Sequence, residues 1–167
     1  MTTLVTVFSD ASMSPDKCGC GWWFKSERVR GSGSRQMETG TLHIHEVELW
    51  GIRNAILEAC LRHPVADLTL VVQCDNIGAL QTLLALRSKK KLRVQWAKSS
   101  PLKQHGYRKN LSDPEREWLK DIKESGVTTI YLKHVKGHTG SRDARSVVNK
   151  LTDELASKAR LKDNTNA

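Results

Sequence analysis

Two aspartates each come directly after a segment that has the composition of a buried β-strand. Asp10 follows the apolar, β-branched segment Leu4–Phe8, and Asp75 follows the continuous apolar segment Leu68–Cys74. If these two segments are neighbouring parallel strands, both carboxylates emerge at the same end of a sheet, within several ångströms of each other. The spacing therefore predicts a pair of carboxylates at one sheet edge.

Two further acids lie in segments with helical spacing. We expect Glu48 in the first turn of one helix and Asp153 in the last helix of the chain, with Asn149 four residues earlier on the same helical face. Four converging carboxylates raise one another's pKa values unless a cation joins them, and an all-oxygen set favours Mg²⁺ or Mn²⁺ over zinc. Two such ions about 3.5–4 Å apart stabilise the attacking water and the leaving oxygen of a phosphodiester. The acids therefore predict metal-dependent phosphodiester hydrolysis.

The hydrophobic spacing along the chain predicts the elements that position these acids. We expect five strands and four helices in the order β-β-β-α-β-α-α-β-α, with a basic segment before the third helix. Three consecutive strands indicate antiparallel hairpins, whereas the later alternation indicates parallel strands joined by crossovers. The predicted fold class is α/β, a five-stranded mixed sheet with helices on both faces.

Local signals mark the ends of two of these helices. The first begins near Glu46 and continues to about His63, and Pro64 follows it. The third begins with the capping-box pattern Ser112-x-x-Glu115 and stops near Gly126.

All of the excess positive charge lies in one segment. The chain has 27 Lys and Arg against 18 Asp and Glu, a net charge of +9, and nine of the basic residues and no acid fall between Arg87 and Lys109. Concentrated charge on an otherwise neutral body is typical of a site for a polyanion, and Trp96 and Tyr107 within the segment suit contacts with sugars and bases. We call residues 87–109 the basic segment.

Length and composition exclude several classes of protein. The 167 residues correspond to about one domain, with no apolar run long enough for a membrane span and no secretory signal. We expect a cytoplasmic protein, and we also expect it to be monomeric and to use no small-molecule cofactor. Cys18-x-Cys20 and His43-x-His45 leave a zinc site open as an alternative, although nothing in the sequence brings the two pairs together.

Five segments together resemble the type 1 ribonuclease H family. They are Val7–Ser12 around Asp10, Val47–Leu49 around Glu48, Gln73–Asn76 around Asp75, Val135–Gly140, and Asn149–Ala156 around Asp153. The resemblance covers about residues 3–160 in the order and spacing of the family. It implies an RNase H-like fold formed by a single domain over residues 1–161, with a basic protrusion at about 87–110 and a flexible tail at 162–167.

The resemblance also implies an activity and its residues. It implies an endonuclease that hydrolyses the RNA strand of RNA–DNA hybrids with two Mg²⁺ ions, or Mn²⁺ as a substitute, giving 5′-phosphate and 3′-hydroxyl ends. The metal ligands carry over onto Asp10, Glu48, Asp75 and Asp153, and His138, between two glycines, carries over as a histidine that assists proton transfer and product release. The hybrid-contacting residues are then Lys89, Lys90, Lys91, Arg93, Trp96, Lys98, His43, His45 and Asn149.

This chain departs from the family pattern before the glutamate. Leu42–Glu46 stands where the family often has an Asn-rich segment that contacts RNA 2′-hydroxyls, and His43 and His45 are the residues in this place that can still donate hydrogen bonds to them. Glu46 is a second candidate for the helical ligand, although Val47 and Leu49 flank Glu48 as in the family. A nuclease of the same fold acting on DNA junctions or flaps, and a non-catalytic hybrid-binding module, remain alternative functions.

Overall fold

The computed structural model describes residues 2–64, 68–88, 91–100, 106–135 and 144–161, with the backbone alone described at residues 88 and 144–149. The strands are β1 (Thr3–Met13), β2 (Lys17–Lys25), β3 (Arg30–Glu38), β4 (Leu68–Cys74), β5 (Arg93–Trp96) and β6 (Thr129–His134). The helices are α1 (Ile44–Arg62), α2 (Ile77–Leu83, continued by a 3₁₀ turn over Leu84–Ser88), α3 (Asp113–Glu124) and α4 (Ala144–Leu161). None of the helices in these ranges combines the length and the apolarity that crossing a bilayer requires.

All six strands form one mixed sheet in the order β3-β2-β1-β4-β6-β5. The pairs β1–β2 and β2–β3 are antiparallel, as three strands joined by short connections require, and β1–β4, β4–β6 and β6–β5 are parallel. The predicted α/β class and the mixture of strand directions are confirmed.

The prediction of five strands is wrong, because the basic segment contributes a sixth. Leu92 and Val94 are buried against the core while Arg93 and Gln95 are exposed, so the segment alternates as an edge strand and pairs with β6. Part of the expected protrusion is therefore fixed to the edge of the sheet.

Helices cover both faces of the sheet, as expected. Along β2, Cys20 faces α1, where Asn54 lies 3.7 Å from its sulfur, while Gly19 and Gly21 face α4. A Cβ on either glycine would overlap the backbone of α4 near Thr152 and Ala156, so these glycines let the helix lie close to the sheet. The core on the α1 side is built from apolar residues of β1, β4 and β6.

Two predicted boundaries near the acids need correction. Asp10 does not follow β1 but lies within it, since antiparallel pairing with β2 extends the strand as far as Met13. α1 begins at Ile44 rather than at Glu46, so Glu48 lies in its second turn and not in its first. The α3 boundaries are confirmed, because Ser112 caps the helix and Gly126 has a left-handed backbone, with φ of 88°, just beyond it.

Candidate active site

Asp10 and Asp75 lie side by side where the parallel strand β4 ends. The parallel register pairs Phe8 with Gln73, and both aspartates stand two residues further along their chains. β1 continues past this point but β4 does not, so Asp75 begins the loop that leads to α2. The predicted pair of carboxylates is formed, at the carboxyl end of β4.

Glu48 reaches the same place from α1. Its side chain is buried, and its backbone carbonyl lies 3.4 Å from the hydroxyl of Ser9 on β1. The Glu48 carboxylate, the Cys74 sulfur and the Asp75 carboxylate offer ligand atoms that all lie within 4.8 Å of one another. Donor atoms at such separations can share one metal ion, and the two carboxylates supply the oxygen that Mg²⁺ and Mn²⁺ prefer.

The pKa values of these carboxyl groups show that the cluster is costly to ionise. Burial, the charge of Asp75 and the charge of Asp153 raise the pKa of Asp10 from 3.8 to about 7, although a hydrogen bond with Glu48 opposes the rise. Burial and the charges of Asp10 and Asp75 raise the pKa of Glu48 well above its ordinary value of 4.5. A divalent cation would remove this penalty by replacing the protons, so the donor set fits a hard metal ion.

The raised pKa of Asp10 makes the stability of the metal-free protein depend on pH. The folded state keeps a proton that the unfolded chain releases, so this contribution is complete below pH 3.8 and is lost as the pH rises through about 7. Because one pKa unit corresponds to about 1.4 kcal/mol, the free energy of unfolding should fall by up to about 4 kcal/mol through Asp10 alone.

Urea denaturation in EDTA at pH 4 and pH 8 measures this loss of stability. The variant Asp10→Asn, which cannot ionise, should lose much less stability across the same interval, and the difference between the two proteins isolates the contribution of Asp10. Equal pH dependence in both proteins would remove the coupling described here.

Asp153 is the fourth predicted acid, and α4 brings it to the same cluster. The residue is half-buried, and its charge contributes to the raised pKa of Asp10. The side chain of Asn149 and the whole of His138 lie outside the described residues.

Glu46, the alternative to Glu48, is engaged elsewhere. One carboxylate oxygen accepts a hydrogen bond of 2.9 Å from the backbone N–H of His43, and the other accepts one of 2.8 Å from the hydroxyl of Ser112. Both oxygens therefore join helix ends, and Glu48 is the helical acid that lies with Asp75.

A protein-family model for RNase H matches residues 2–160. The chain belongs to the RNase H family. A search of curated proteins found no match.

Solved structures of RNase H proteins share the fold at low sequence identity. The N-terminal RNase H domain of rv2228c from Mycobacterium tuberculosis has a TM-score of 0.68 and 11% identity, over 99% of this chain and 100% of that one. RNase H1 from the archaeon Halobacterium salinarum has a TM-score of 0.58 and 17% identity, over 96% and 98%. LC11-RNase H1, solved in complex with an RNA/DNA hybrid, has a TM-score of 0.60 and 12% identity, over 98% and 99%.

The predicted histidines of this RNase H form a stacked pair at the start of α1. The rings of His43 and His45 are 5.7 Å apart and nearly parallel, at 8°. His43 is exposed, whereas His45 is half-buried with its Nε2 4.0 Å from the carboxylate of Glu115. Burial and the charge of Arg108 lower the pKa of His45. The lowered pKa favours the neutral imidazole of His45, which can both donate and accept a hydrogen bond.

The alternative zinc site formed by these histidines and two cysteines is not present. Cys18 and Cys20 are buried in β2, where Cys18 contacts the backbone carbonyl of Met37. Within the described ranges, Glu48, Cys74 and Asp75 form the only group of three or more side chains suited to a metal ion.

The basic segment is partly available to a ligand and partly used by the fold. Lys91, Arg93 and Lys98 are exposed, and Trp96 is half-buried against the core. Lys89 and Lys90 lie outside the described residues. The two ends of the segment meet, since the guanidinium of Arg87 stacks 4.5 Å above the ring of Tyr107.

Arg108 differs from the other described cations of the segment. Its guanidinium forms a 2.9 Å ion pair with Glu115, whose side chain is only 1% exposed. The charge count made Arg108 part of the polyanion site, whereas the structure shows it neutralising a buried acid.

Cys74, the last residue of the buried strand β4, is also a member of the acidic cluster. Its sulfur lies 3.5 Å from Oε2 of Glu48, and burial raises the pKa of the thiol well above 9, so that the protonated thiol donates to the carboxylate. The sequence does indicate this position of Cys74. Side chains alternate along β4, so Leu70, Val72 and Cys74 face α1 together.

Proposed function

We propose that this RNase H is a metal-dependent endonuclease that hydrolyses the RNA strand of RNA–DNA hybrids. The observation that carries the proposal is the convergence of Asp10, Glu48 and Asp75 at the end of β4, where burial raises the pKa values of Asp10 and Glu48. Binding alone does not need carboxylates at this point, since they repel phosphate. The hybrid seen with LC11-RNase H1, a protein of the same fold, supports the choice of substrate.

The four acids would hold the metal. Asp10, Glu48, Asp75 and Asp153 provide carboxylate oxygens, and when bound, two Mg²⁺ ions, or Mn²⁺ in their place, would activate water and stabilise the departing 3′-oxygen. Cleavage then leaves 5′-phosphate and 3′-hydroxyl ends. His138 lies between glycines in the sequence, and a histidine there can exchange protons near neutral pH and assist product release.

The surface around the acids would hold the duplex. In the proposal His43, His45 and Asn149 face the RNA strand, and the cations of the basic segment hold phosphates of the DNA strand. The enzyme acts as a monomer through the single domain of residues 1–161.

Cleavage assays on four substrates test the proposal. An RNA–DNA hybrid, duplex DNA, a DNA flap and a four-way DNA junction are each incubated with Mg²⁺ and, separately, with EDTA. We expect Mg²⁺-dependent cleavage of the RNA strand of the hybrid alone. Preferred cleavage of the flap or the junction would indicate a structure-specific DNA nuclease, and hybrid binding with no cleavage in Mg²⁺ or Mn²⁺ would indicate a binding module.

Replacing an exposed cation of the basic segment should weaken hybrid binding in proportion to the phosphates it neutralises. For Lys91→Ala and for Arg93→Ala, we expect the slope of log affinity against log salt to fall by about 1 each, because each residue releases about one counterion. Filter binding of the hybrid in Ca²⁺ across a salt series measures the slope.

Lys25→Ala is the matched control, because Lys25 is exposed at the end of β2, four strands away from β5 in the sheet and so about 19 Å from it at 4.7–4.9 Å per strand. An unchanged slope in Lys91→Ala and in Arg93→Ala would place the duplex elsewhere.

A further inference from the structure

The starts of α1 and α3 face each other, and the side chains that cap them are joined. Glu46, three residues into α1 and 5% exposed, uses one carboxylate oxygen for the backbone N–H of His43 and the other for the hydroxyl of Ser112. Ser112 is itself the N-cap of α3. A single hydroxyl therefore belongs to the caps of two helices.

The hydrogen-bonding capacity of that hydroxyl is divided between the two helices. Its oxygen accepts a 3.3 Å hydrogen bond from the backbone N–H of Glu115, which caps α3. Its proton is donated to Glu46 at 2.8 Å, which fixes the start of α1. A hydroxyl residue can do both at once, whereas a carboxylate at the same position can cap α3 but has no proton for Glu46.

The contact lies within a buried polar network. The Glu115 carboxylate accepts from the backbone N–H of Ser112 at 3.0 Å and from the guanidinium of Arg108 at 2.9 Å, and it lies 3.0 Å from the hydroxyl of Thr82 on α2. The start of α1 is thus held against α2, α3 and the last residues of the basic segment.

We propose that Ser112 is a positioning residue. Its hydroxyl holds Glu46 and so fixes the position of the first turn of α1, which in turn places the Glu48 carboxylate beside Asp75. The proposal rests on the proposed function, because it treats Glu48 as a ligand of the catalytic metal. Glu46 and Glu48 are two residues apart on one helix, and both are buried, so a shift at the first is carried to the second. Ser112 acts only through Glu46, on metal binding and turnover.

Three substitutions at Ser112 separate donation to Glu46 from capping of α3. Ser112→Thr keeps both functions, Ser112→Asp keeps the cap but removes the donor and adds a charge beside Glu46, and Ser112→Ala removes both. Asp113→Ala is the matched control, because Asp113 directly follows Ser112 in the sequence and its side chain pairs with Arg116 at the surface.

Mn²⁺ affinity measured by calorimetry without substrate, together with kcat and KM on the hybrid, tests the proposal. We expect Ser112→Asp and Ser112→Ala to bind Mn²⁺ about tenfold more weakly and to lose about tenfold in kcat, the low end for a hydrogen bond to a charged group, with KM for the hybrid little changed. Ser112→Thr and Asp113→Ala should match the wild-type protein in all three quantities.

The outcomes distinguish this proposal from the one on which it rests. Wild-type Mn²⁺ affinity in folded Ser112→Asp and Ser112→Ala overturns the positioning role, even if both proteins are less stable. A Ser112→Thr protein as impaired as Ser112→Ala overturns it too, since the hydroxyl is then not the active feature. If the wild-type protein binds Mn²⁺ but cleaves no hybrid, the proposed function fails, and the Mn²⁺ affinities still decide the role of Ser112.

Discussion

Replacing Asp10 with asparagine is expected to reduce hydrolysis of an RNA–DNA hybrid by at least about 10³-fold, the equivalent of about 4 kcal/mol of transition-state stabilisation. The amide has nearly the same shape as the carboxylate but carries no charge for a metal ion. Because hybrid binding is expected to survive the substitution, the loss should appear in kcat. Single-turnover cleavage in Mg²⁺ measures it.

Hybrid binding should survive the same substitution or improve. In the proposed function a scissile phosphate approaches Asp10, and removing one negative charge from this buried site reduces repulsion of that phosphate. Asp10→Asn should also be more stable than the wild-type protein in EDTA at pH 8, because it no longer carries a buried acid that ionises at about pH 7.

Asp16→Asn is the isosteric control, since Asp16 is exposed in the connection between β1 and β2. It should retain wild-type cleavage, binding and stability. Near wild-type cleavage by Asp10→Asn would remove Asp10 from the mechanism, whatever the effect on stability.

The position of the acids could be predicted because it depends on local patterns. A strand that ends at Cys74 places the next residue, Asp75, at the carboxyl end of the sheet. The parallel pairing of β1 with β4 brings Asp10 beside it. The boundary of β1 could not be placed this way. The antiparallel partner β2 carries the strand to Met13, and strand pairing over a distance leaves no mark on the residues around Asp10.

The sixth strand shows how a strong signal can obscure a weaker one. Leu92, Val94 and Trp96 alternate with Arg93 and Gln95, which is the pattern of a half-buried strand. The density of positive charge favoured a protruding segment that binds a polyanion instead. A strand of only four residues is stable here because it pairs with β6. Whether β6 has an unpaired edge depends on the rest of the sheet and cannot be read from the basic segment alone.

The ion pair between Arg108 and Glu115 should contribute strongly to the stability of the fold. Arg108→Ala should lower the free energy of unfolding by about 3–5 kcal/mol, because it leaves a buried carboxylate without its cation. The side chain of Glu115 is 1% exposed and that of Arg108 is 28% exposed, so the pair is shielded from water mainly at the Glu115 end. Urea denaturation at pH 7 measures the change.

Arg116→Ala supplies the control, because Arg116 pairs with Asp113 on the surface of the same helix, where the two side chains are 66% and 96% exposed. It should cost no more than about 0.5 kcal/mol. A loss below about 1 kcal/mol in Arg108→Ala would mean that Glu115 is stabilised without its cation.

The role of Arg108 in folding also affects the binding of a hybrid to the basic segment. Arg108 lies among residues whose charges would hold phosphates, and its removal would weaken hybrid binding even if it touches no phosphate. If Arg108 acts through folding, binding should recover at lower temperature, where more of the variant is folded, and the salt slope should equal that of the wild-type protein. A salt slope lowered by about 1 at full folding would instead make Arg108 a phosphate contact.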